Sequence, residues 1–202
     1  MLETYIDFDT VRNDHSHPDV GLFLSAINVR SGRFRIFRED ELTPEAILAS
    51  AAEPHIFEAV EVAGNHYWDG LFSKNPPIAS FMEANDVPDP DEIWVIKINP
   101  QERENVPRSP EGIDDRRNEL AGNLSLNAEV RFLEQVNTWI DRGYLPDRYT
   151  RTEIRSIQFG KGRRLDWRTK LDRDPAFIES LIENGREQGR SFLNHIESSS
   201  SD

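Results

Sequence analysis

The residues best suited to chemistry lie in one short segment, 66–77 (HYWDGLFSKNPP), at whose centre Asp69 follows Tyr67 and Trp68. A carboxylate acts as a general base when burial beside aromatic side chains raises its pKa. Asp69-Gly70 is also a common turn dipeptide, so a plain hairpin turn explains the segment on composition alone. An exposed Tyr-Trp platform for a sugar or a peptide is a further alternative.

Other catalytic groups are scarce. No serine has glycine both two residues before and two residues after it, as the G-x-S-x-G elbow of α/β hydrolases requires. The nearest approach, 122–127 (GNLSLN), has the wrong spacing and lies in a predicted helix. There is no P-loop and no Gly-rich dinucleotide turn, so we expect no cofactor. The absence of Cys excludes disulfides, thiolate metal sites and a cysteine nucleophile.

The histidines offer little support for a metal site. His15 and His17 stand one residue apart and could pair on a metal, but no third ligand is suggested nearby, so a solvated loop is the better interpretation. His195 lies near the end of the last predicted helix, where its charge suits the helix dipole, and we assign it a structural role.

The charge balance limits the partners. The chain has 202 residues with 24 Lys+Arg against 37 Asp+Glu, a formal net charge of −13. A length of this order suggests one domain, with or without an appendage. Such a charge repels nucleic-acid backbones and anionic membranes, so we expect no nucleic-acid partner. Only four of the cations are Lys. Either adaptation to high salt or a high genomic GC content accounts for this preference for Arg over Lys.

Targeting signals are not evident. No run of 18 apolar residues exists, so no transmembrane helix is predicted. The first residues, 1–5 (MLETY), lack the basic region and apolar stretch of a signal peptide. We therefore expect a cytoplasmic location.

The first half of the sequence predicts a hairpin, a helix and a second strand pair. The apolar run 20–27 and the strictly alternating run 33–38 flank a turn at 30–32. Thr43 and Pro44 begin a short helix that Pro54 ends. These elements are followed by strands at 57–62 and 66–68, and Pro76-Pro77 opens a further short helix.

The second half predicts two further strands and two long helices. The β-branched run 91–98 is typical of a buried parallel strand, and 154–159 is another strand candidate. Helices are expected over 113–142 and from Pro175, where Asp174 is the cap. In the last helix Gly185 and Gly189 predict a close approach by another element. The mixture of predicted strands and helices along the chain indicates a layered α/β domain with a largely parallel sheet and an antiparallel hairpin.

Three stretches together resemble the patatin-like phospholipase family: 49–60 (ASAAEPHIFEAV), 67–70 (YWDG) and 75–77 (NPP). The strand 91–98 with the following Asn-Pro, and the hairpin 26–32, are also similar. A further stretch, 116–123 (RRNELAGN), resembles a bacterial branch of the family.

The resemblance implies a partial three-layer α/β/α fold with a mainly parallel sheet plus an antiparallel hairpin. It also implies a serine acyl hydrolase that cleaves lipid esters through a Ser-Asp dyad. The aspartate of the family's D-G-G or D-G-A motif maps onto Asp69 as the base, and no histidine is required. Members cleave phospholipids, lysophospholipids or neutral glycerides, so a lipid ester is the implied substrate once the domain is complete.

Two departures from the family pattern shape the functional expectation. Leu71 replaces the third motif residue. The Gly-rich oxyanion loop and the serine elbow, which the family places before the aspartate, are absent from the 68 residues that precede Asp69. The chain is therefore expected to be a truncated hydrolase, retaining the aspartate but inactive alone. The alternative is a non-catalytic remnant or a binding module that uses the Tyr67-Trp68 hairpin.

The same interpretation sets domain limits and partners. We expect the C-terminal part of the hydrolase domain over 1–160, a helical extension over 161–197 and a disordered tail over 198–202. Missing central strands would leave a sheet edge and an apolar face open. A complementary N-terminal chain or self-association is expected to cover them.

Overall fold

The computed structural model describes residues 2–13, 21–72, 77–78, 90–160, 165 and 167–199. The chain forms two compact units, the first from residues 1–89 with 124–132 and the second from 90–123 with 133–202. His15, His17, the Asn-Pro at 75–76 and the end of the predicted tail lie outside the described residues.

The first unit contains a four-stranded antiparallel sheet in the order β2-β1-β4-β3. Its helices and strands are α1 (Phe8–Asn13), β1 (Leu24–Asn28), β2 (Phe34–Phe37), α2 (Pro44–Ser50), β3 (Val60–Val62) and β4 (Asn65–Asp69). The predicted hairpin is confirmed, with Ala26 opposite Arg35. Gly32 in its turn has a φ of +66°, a conformation that favours glycine.

Helix α2 begins as the sequence predicts. The Thr43 side chain accepts a hydrogen bond from the Ala46 N–H at 3.2 Å, and Pro44 occupies the first helical position. The apolar face of the helix buries Ala46 and Ala49 against Ala26, Phe37 and Tyr67 of the sheet. This small core fixes α2 across the strands that lead to Asp69.

The second unit contains a parallel strand pair and the two long helices. Its elements are β5 (Glu92–Lys97), β6 (Glu153–Gln158), α3 (Pro110–Asp141) and α4 (Pro175–Ser199), with residues 124–132 of α3 grouped in the first unit. The parallel pairing of β5 with β6 is confirmed, with Ile93 opposite Ile154. The prediction that β5 is buried on both faces is wrong, because Trp94 is 49% exposed and Ile96 is 72% exposed.

Both long helices begin at capping side chains, and the last helix differs from expectation at its glycines. Helix α3, capped by Ser109, runs without a break through Gly122. Helix α4 begins after Asp174, whose side chain accepts the Phe177 N–H at 2.9 Å. The close approach predicted at Gly185 and Gly189 is wrong, since a Cβ placed at either position would meet nothing within 4 Å. The apolar contact of α4 lies further on, where the Phe192 and Trp94 rings pack edge to face at 5.1 Å.

Buried charges anchor the loop after β5 to α3. Glu119, 4% exposed, accepts hydrogen bonds from the Arg103 Nε at 3.1 Å and the Arg116 Nη1 at 3.0 Å. Arg116 also donates to the carbonyl oxygens of Pro100 and Gln101 at 3.0 and 2.8 Å. One carboxylate thus holds two guanidinium groups in place at the carboxyl end of a parallel strand.

The α/β class and the antiparallel hairpin are confirmed. Parallel pairing within the described residues is confined to β5 and β6, and the hairpin is extended into a four-stranded antiparallel sheet. The domain limits at 160 and 197 stay a prediction. Among the described residues, no helix is both long enough and apolar enough to cross a membrane.

Candidate functional site

Asp69 is the last residue of β4 and is fixed by two neighbouring elements. It lies opposite Ala26 of β1 in the sheet register. Its backbone N–H donates a hydrogen bond of 3.0 Å to the carbonyl oxygen of Ala52, just beyond the end of α2. The strand and the helix therefore set the position of this carboxylate together.

The turn after Asp69 orients its side chain. Chain direction changes here through a 3-10 turn over Gly70–Phe72, and the Leu71 N–H donates to the Asp69 Oδ1 at 3.0 Å. Within the described part of the chain this is the one hydrogen bond made by the Asp69 side chain. The hairpin turn of this region is formed earlier, at Ala63 and Gly64, so Asp69-Gly70 is not a hairpin turn but the start of this 3-10 turn.

Gly70 permits this arrangement because its Cα faces β1 directly. A Cβ at this position would lie 2.6 Å from the Ser25 Oγ and 3.1 Å from the Ser25 carbonyl carbon. The serine hydroxyl can rotate away, but the backbone carbon cannot move without separating the strands. A glycine is therefore needed beside the carboxylate for steric reasons.

The environment of Asp69 favours its protonated form. Burial raises the pKa of Asp69 above its ordinary value of 3.8, and the hydrogen bond from the Leu71 N–H opposes that shift. The negative charge of Glu53 raises the pKa further. A partly buried carboxylate with a raised pKa is a stronger base than an exposed one, as general-base chemistry requires.

Glu53 is a feature of the site that the sequence analysis did not assign. It directly follows Ala52, the residue whose carbonyl holds Asp69, and its side chain is 15% exposed. Its Oε1 lies 2.6 Å from the ring Nδ1 of His55, and its Oε2 accepts a hydrogen bond of 3.1 Å from the backbone N–H of His55. Nothing in the local sequence places Glu53 near Asp69, because the proximity arises only when the end of α2 meets β4.

Tyr67 and Trp68 do not form an exposed platform. Neighbouring residues of a strand point to opposite faces, and Tyr67 shares its face with Asp69. Tyr67 is only 8% exposed, with its ring edge to face with Phe37 at 5.3 Å. The Trp68 Nε1 donates to the Phe57 carbonyl oxygen at 3.2 Å. The platform alternative is therefore wrong for this pair.

No described serine completes a dyad with Asp69. Ser25 is near in the sheet, but it precedes Ala26, the residue opposite Asp69, so its side chain points to the face away from Asp69. The described histidines are also elsewhere: His55 contacts Glu53, His66 precedes Tyr67 on the other face, and His195 lies exposed near the end of α4.

Two clefts lined by described residues lie in the first unit, and Asp69 is not among the lining residues of either. One, of about 530 Å³, is lined by the N-terminal segment 3–9 with Pro44. The other, of about 430 Å³, lies between the start of α2 and the ring of Tyr67. The described residues thus supply the environment of the carboxylate, while these two cavities lie elsewhere.

Comparison with known proteins identifies the family to which this region is similar. The family model described as patatin-like phospholipase matches residues 1–82. The matched range includes Asp69 and the whole antiparallel sheet, so the resemblance seen in the sequence is confirmed over this range. No curated protein matches the chain. The match supports a lipid hydrolase family for residues 1–82.

Proposed function

We propose that Asp69 is the base of a Ser-Asp dyad in a patatin-like lipid acyl hydrolase, a phospholipase or esterase. The observation that carries this proposal is the setting of one carboxylate within the matched range. It is partly buried, its backbone is held by Ala52, its Oδ1 is held by Leu71, and burial raises its pKa. These are the features that a carboxylate base acting without histidine requires.

The chemistry assigns the two carboxylate oxygens different roles. Oδ1 receives the Leu71 N–H and fixes the carboxylate plane. Oδ2 accepts the proton of a serine hydroxyl as the serine oxygen attacks the ester carbonyl. The alcohol then leaves with that proton, and an acyl-serine remains. Water then attacks the acyl-serine while Asp69 again acts as the base. This step releases the fatty acid and restores the serine.

The serine and the oxyanion donors come from outside these 202 residues, which contain no G-x-S-x-G. Loss of one oxyanion donor alone costs about 10²–10³ in rate, and loss of the nucleophile removes the acyl-enzyme route. We therefore expect the 202-residue chain to lack acyl-transfer activity by itself. A segment encoded upstream, or a separate chain, supplies the missing groups.

The experiment compares ester hydrolysis in two contexts. The 202-residue chain is assayed alone with a short-chain p-nitrophenyl ester, and again together with the polypeptide encoded immediately upstream of Met1. In the second context Asp69→Asn is expected to lower kcat by about 10²–10⁴-fold. Asp40→Asn, an exposed acid of the same unit, is the matched control and should leave kcat unchanged.

Equal activity of Asp69→Asn and wild type would remove Asp69 from the dyad. A non-catalytic remnant is the second candidate, since the chain contains no serine elbow. An upstream region without a Gly-rich loop and a G-x-S-x-G motif would favour that candidate over the hydrolase.

The proposal includes a partner for the first unit. Strands β2 and β3 are the outer strands of its sheet, so each has one edge open to further pairing among the described strands. A complementary N-terminal chain or a second copy of this chain would pair there. Light scattering tests both forms. A monodisperse monomer of the purified chain would contradict self-association, and an unchanged mass after mixing with the polypeptide encoded upstream of Met1 would contradict the complementary chain.

A further inference from the structure

Helix α4 carries an apolar row that the described residues of its own chain leave uncovered. Residues three and four apart share one face of a helix, and in α4 they are Ile178, Ile182, Gly185, Gly189 and Leu193. The three aliphatic side chains are between 43% and 47% exposed. A Cβ at either glycine would meet nothing within 4 Å. The row extends for about 22 Å along the helix axis, from the rise per residue.

This row lies next to an exposed part of strand β5 in the same unit. The ring of Phe192, which precedes Leu193, packs edge to face on the ring of Trp94. Ile96 lies two residues after Trp94, so the two side chains share one face of the strand, and both are exposed. The helix row and these strand side chains therefore border one apolar surface. A contiguous exposed apolar surface is typical of an interaction site, whereas scattered apolar side chains are not.

The charges beside the row favour a second copy of this chain as the partner. A parallel row, shifted by one residue along the helix, contains Glu179 and Glu183 followed by Arg186 and Arg190. This flank is acidic toward the start of the helix and basic toward its end. A second α4 that runs antiparallel places its basic half against the acidic half of the first. A parallel copy would instead place like charges together, which is unfavourable.

We propose that two copies of this chain associate by antiparallel packing of their α4 helices through this apolar row. A two-fold axis midway between Gly185 and Gly189 places each glycine against the other glycine of the second copy, where the backbones can approach closely. The same axis places Ile182 near Leu193 of the second copy. Contact of one surface with itself closes at two chains. The surface lies in the second unit and is independent of the hydrolytic function proposed above.

Sedimentation velocity of the full chain over a range of concentrations tests the association, and a reversible dimer is expected. Physiological salt limits repulsion by the net charge of −13, because charges are then screened over about 8 Å. Ile182→Gln is expected to raise the dissociation constant at least tenfold, since each dimer loses two apolar contacts. Glu187→Gln is the matched control, an exposed residue on the opposite face of α4, and should leave the constant unchanged. Gly185→Ala should weaken the dimer severalfold by separating the backbones.

A charge exchange tests the antiparallel direction. In the proposed dimer Glu183 of each copy lies near Arg190 of the other, so Glu183→Arg turns two attractions into repulsions. The dissociation constant is expected to rise at least about threefold, from the usual strength of exposed ion pairs. Addition of Arg190→Glu to the same chain restores the attraction and should restore the dimer. Circular dichroism of the dilute monomers checks that every variant keeps its helix content.

Three results would overturn the proposal. A chain that stays monomeric up to millimolar concentration would show that the row does not self-associate. A dimer that Ile182→Gln leaves unchanged would place the contact elsewhere, such as at the open sheet edges of the first unit. A double exchange that fails to restore the dimer would contradict the antiparallel packing. If Ile182→Gln loses helix content, Leu193→Gln at the other end of the row decides instead.

Discussion

Replacing Gly70 by Ala tests whether steric contact between β4 and β1 positions the carboxylate. The added Cβ would lie 3.1 Å from the carbonyl carbon of Ser25, where carbon atoms normally approach to about 3.5–4.0 Å. Relief of that overlap requires the two strands to separate by several tenths of an ångström. Overpacking of this kind costs about 1–3 kcal/mol of unfolding free energy.

A glycine-to-alanine substitution at another position is expected to raise the unfolding free energy instead of lowering it. At Gly185, inside α4, a Cβ meets nothing within 4 Å, so Gly185→Ala gains about 0.5–1 kcal/mol from helix propensity alone. The pair of variants therefore separates the contact at Gly70 from a general effect of adding a methyl group.

Local hydrogen exchange is the appropriate assay, because two compact units need not unfold in one transition. The Asp69 amide is bonded to the Ala52 oxygen and the Leu71 amide to the Asp69 Oδ1. In the Gly70→Ala variant both amides are expected to exchange hydrogen roughly 5–140-fold faster, because a loss of about 1–3 kcal/mol in opening free energy corresponds to that factor in rate. Unchanged exchange, or a gain like that of Gly185→Ala, would refute the steric account of this site.

Three further predictions concern charge and capping. Because the pKa of Asp69 is raised in the folded chain, its ionised form costs folding free energy. Asp69→Asn should therefore raise the unfolding free energy of the first unit at pH 7, measured by hydrogen exchange, a gain that fades below the ordinary pKa of 3.8, where both side chains are neutral. Glu119→Gln removes the buried carboxylate that Arg103 and Arg116 share, while Asp115 stays 3.5 Å from Arg103 and Arg116 keeps its two carbonyl acceptors. The loss of charge-assisted hydrogen bonds should cost about 1.5–3 kcal/mol in the unfolding free energy of the second unit, measured by hydrogen exchange, whereas the exposed Glu111→Gln stays within about 0.5 kcal/mol. Thr43→Ala removes the acceptor of the Ala46 N–H and should cost about 0.5–2 kcal/mol in thermal unfolding, while Thr43→Ser should cost little.

Local patterns in the sequence were sufficient for most of the elements. Thr43-Pro44 and Asp174-Pro175 predicted both helix starts, because the capping side chain and the proline act within one turn. Alternation over 33–38 predicted the hairpin strand and its outward arginine at Arg35. The family resemblance, carried by short motifs around Asp69, was confirmed over residues 1–82.

Burial was harder to predict than secondary structure. The apolar run of β5 indicated a strand covered on both faces, yet Ile96 is 72% exposed. Gly185 and Gly189 indicated a close neighbour that the described residues do not provide. Sequence periodicity shows which side chains share a face, but it does not show what packs on that face.

The sequence by itself determined that Asp69 follows a strand, precedes a glycine and belongs to a family-like motif. Only the tertiary structure decided what surrounds that carboxylate. The contact of Gly70 with Ser25 joins residues far apart in the chain, and the bond from Asp69 to Ala52 joins a strand to the end of a helix. Such contacts depend on strand register and helix docking. These are set by the packing of the whole unit, because no short stretch of residues encodes them alone.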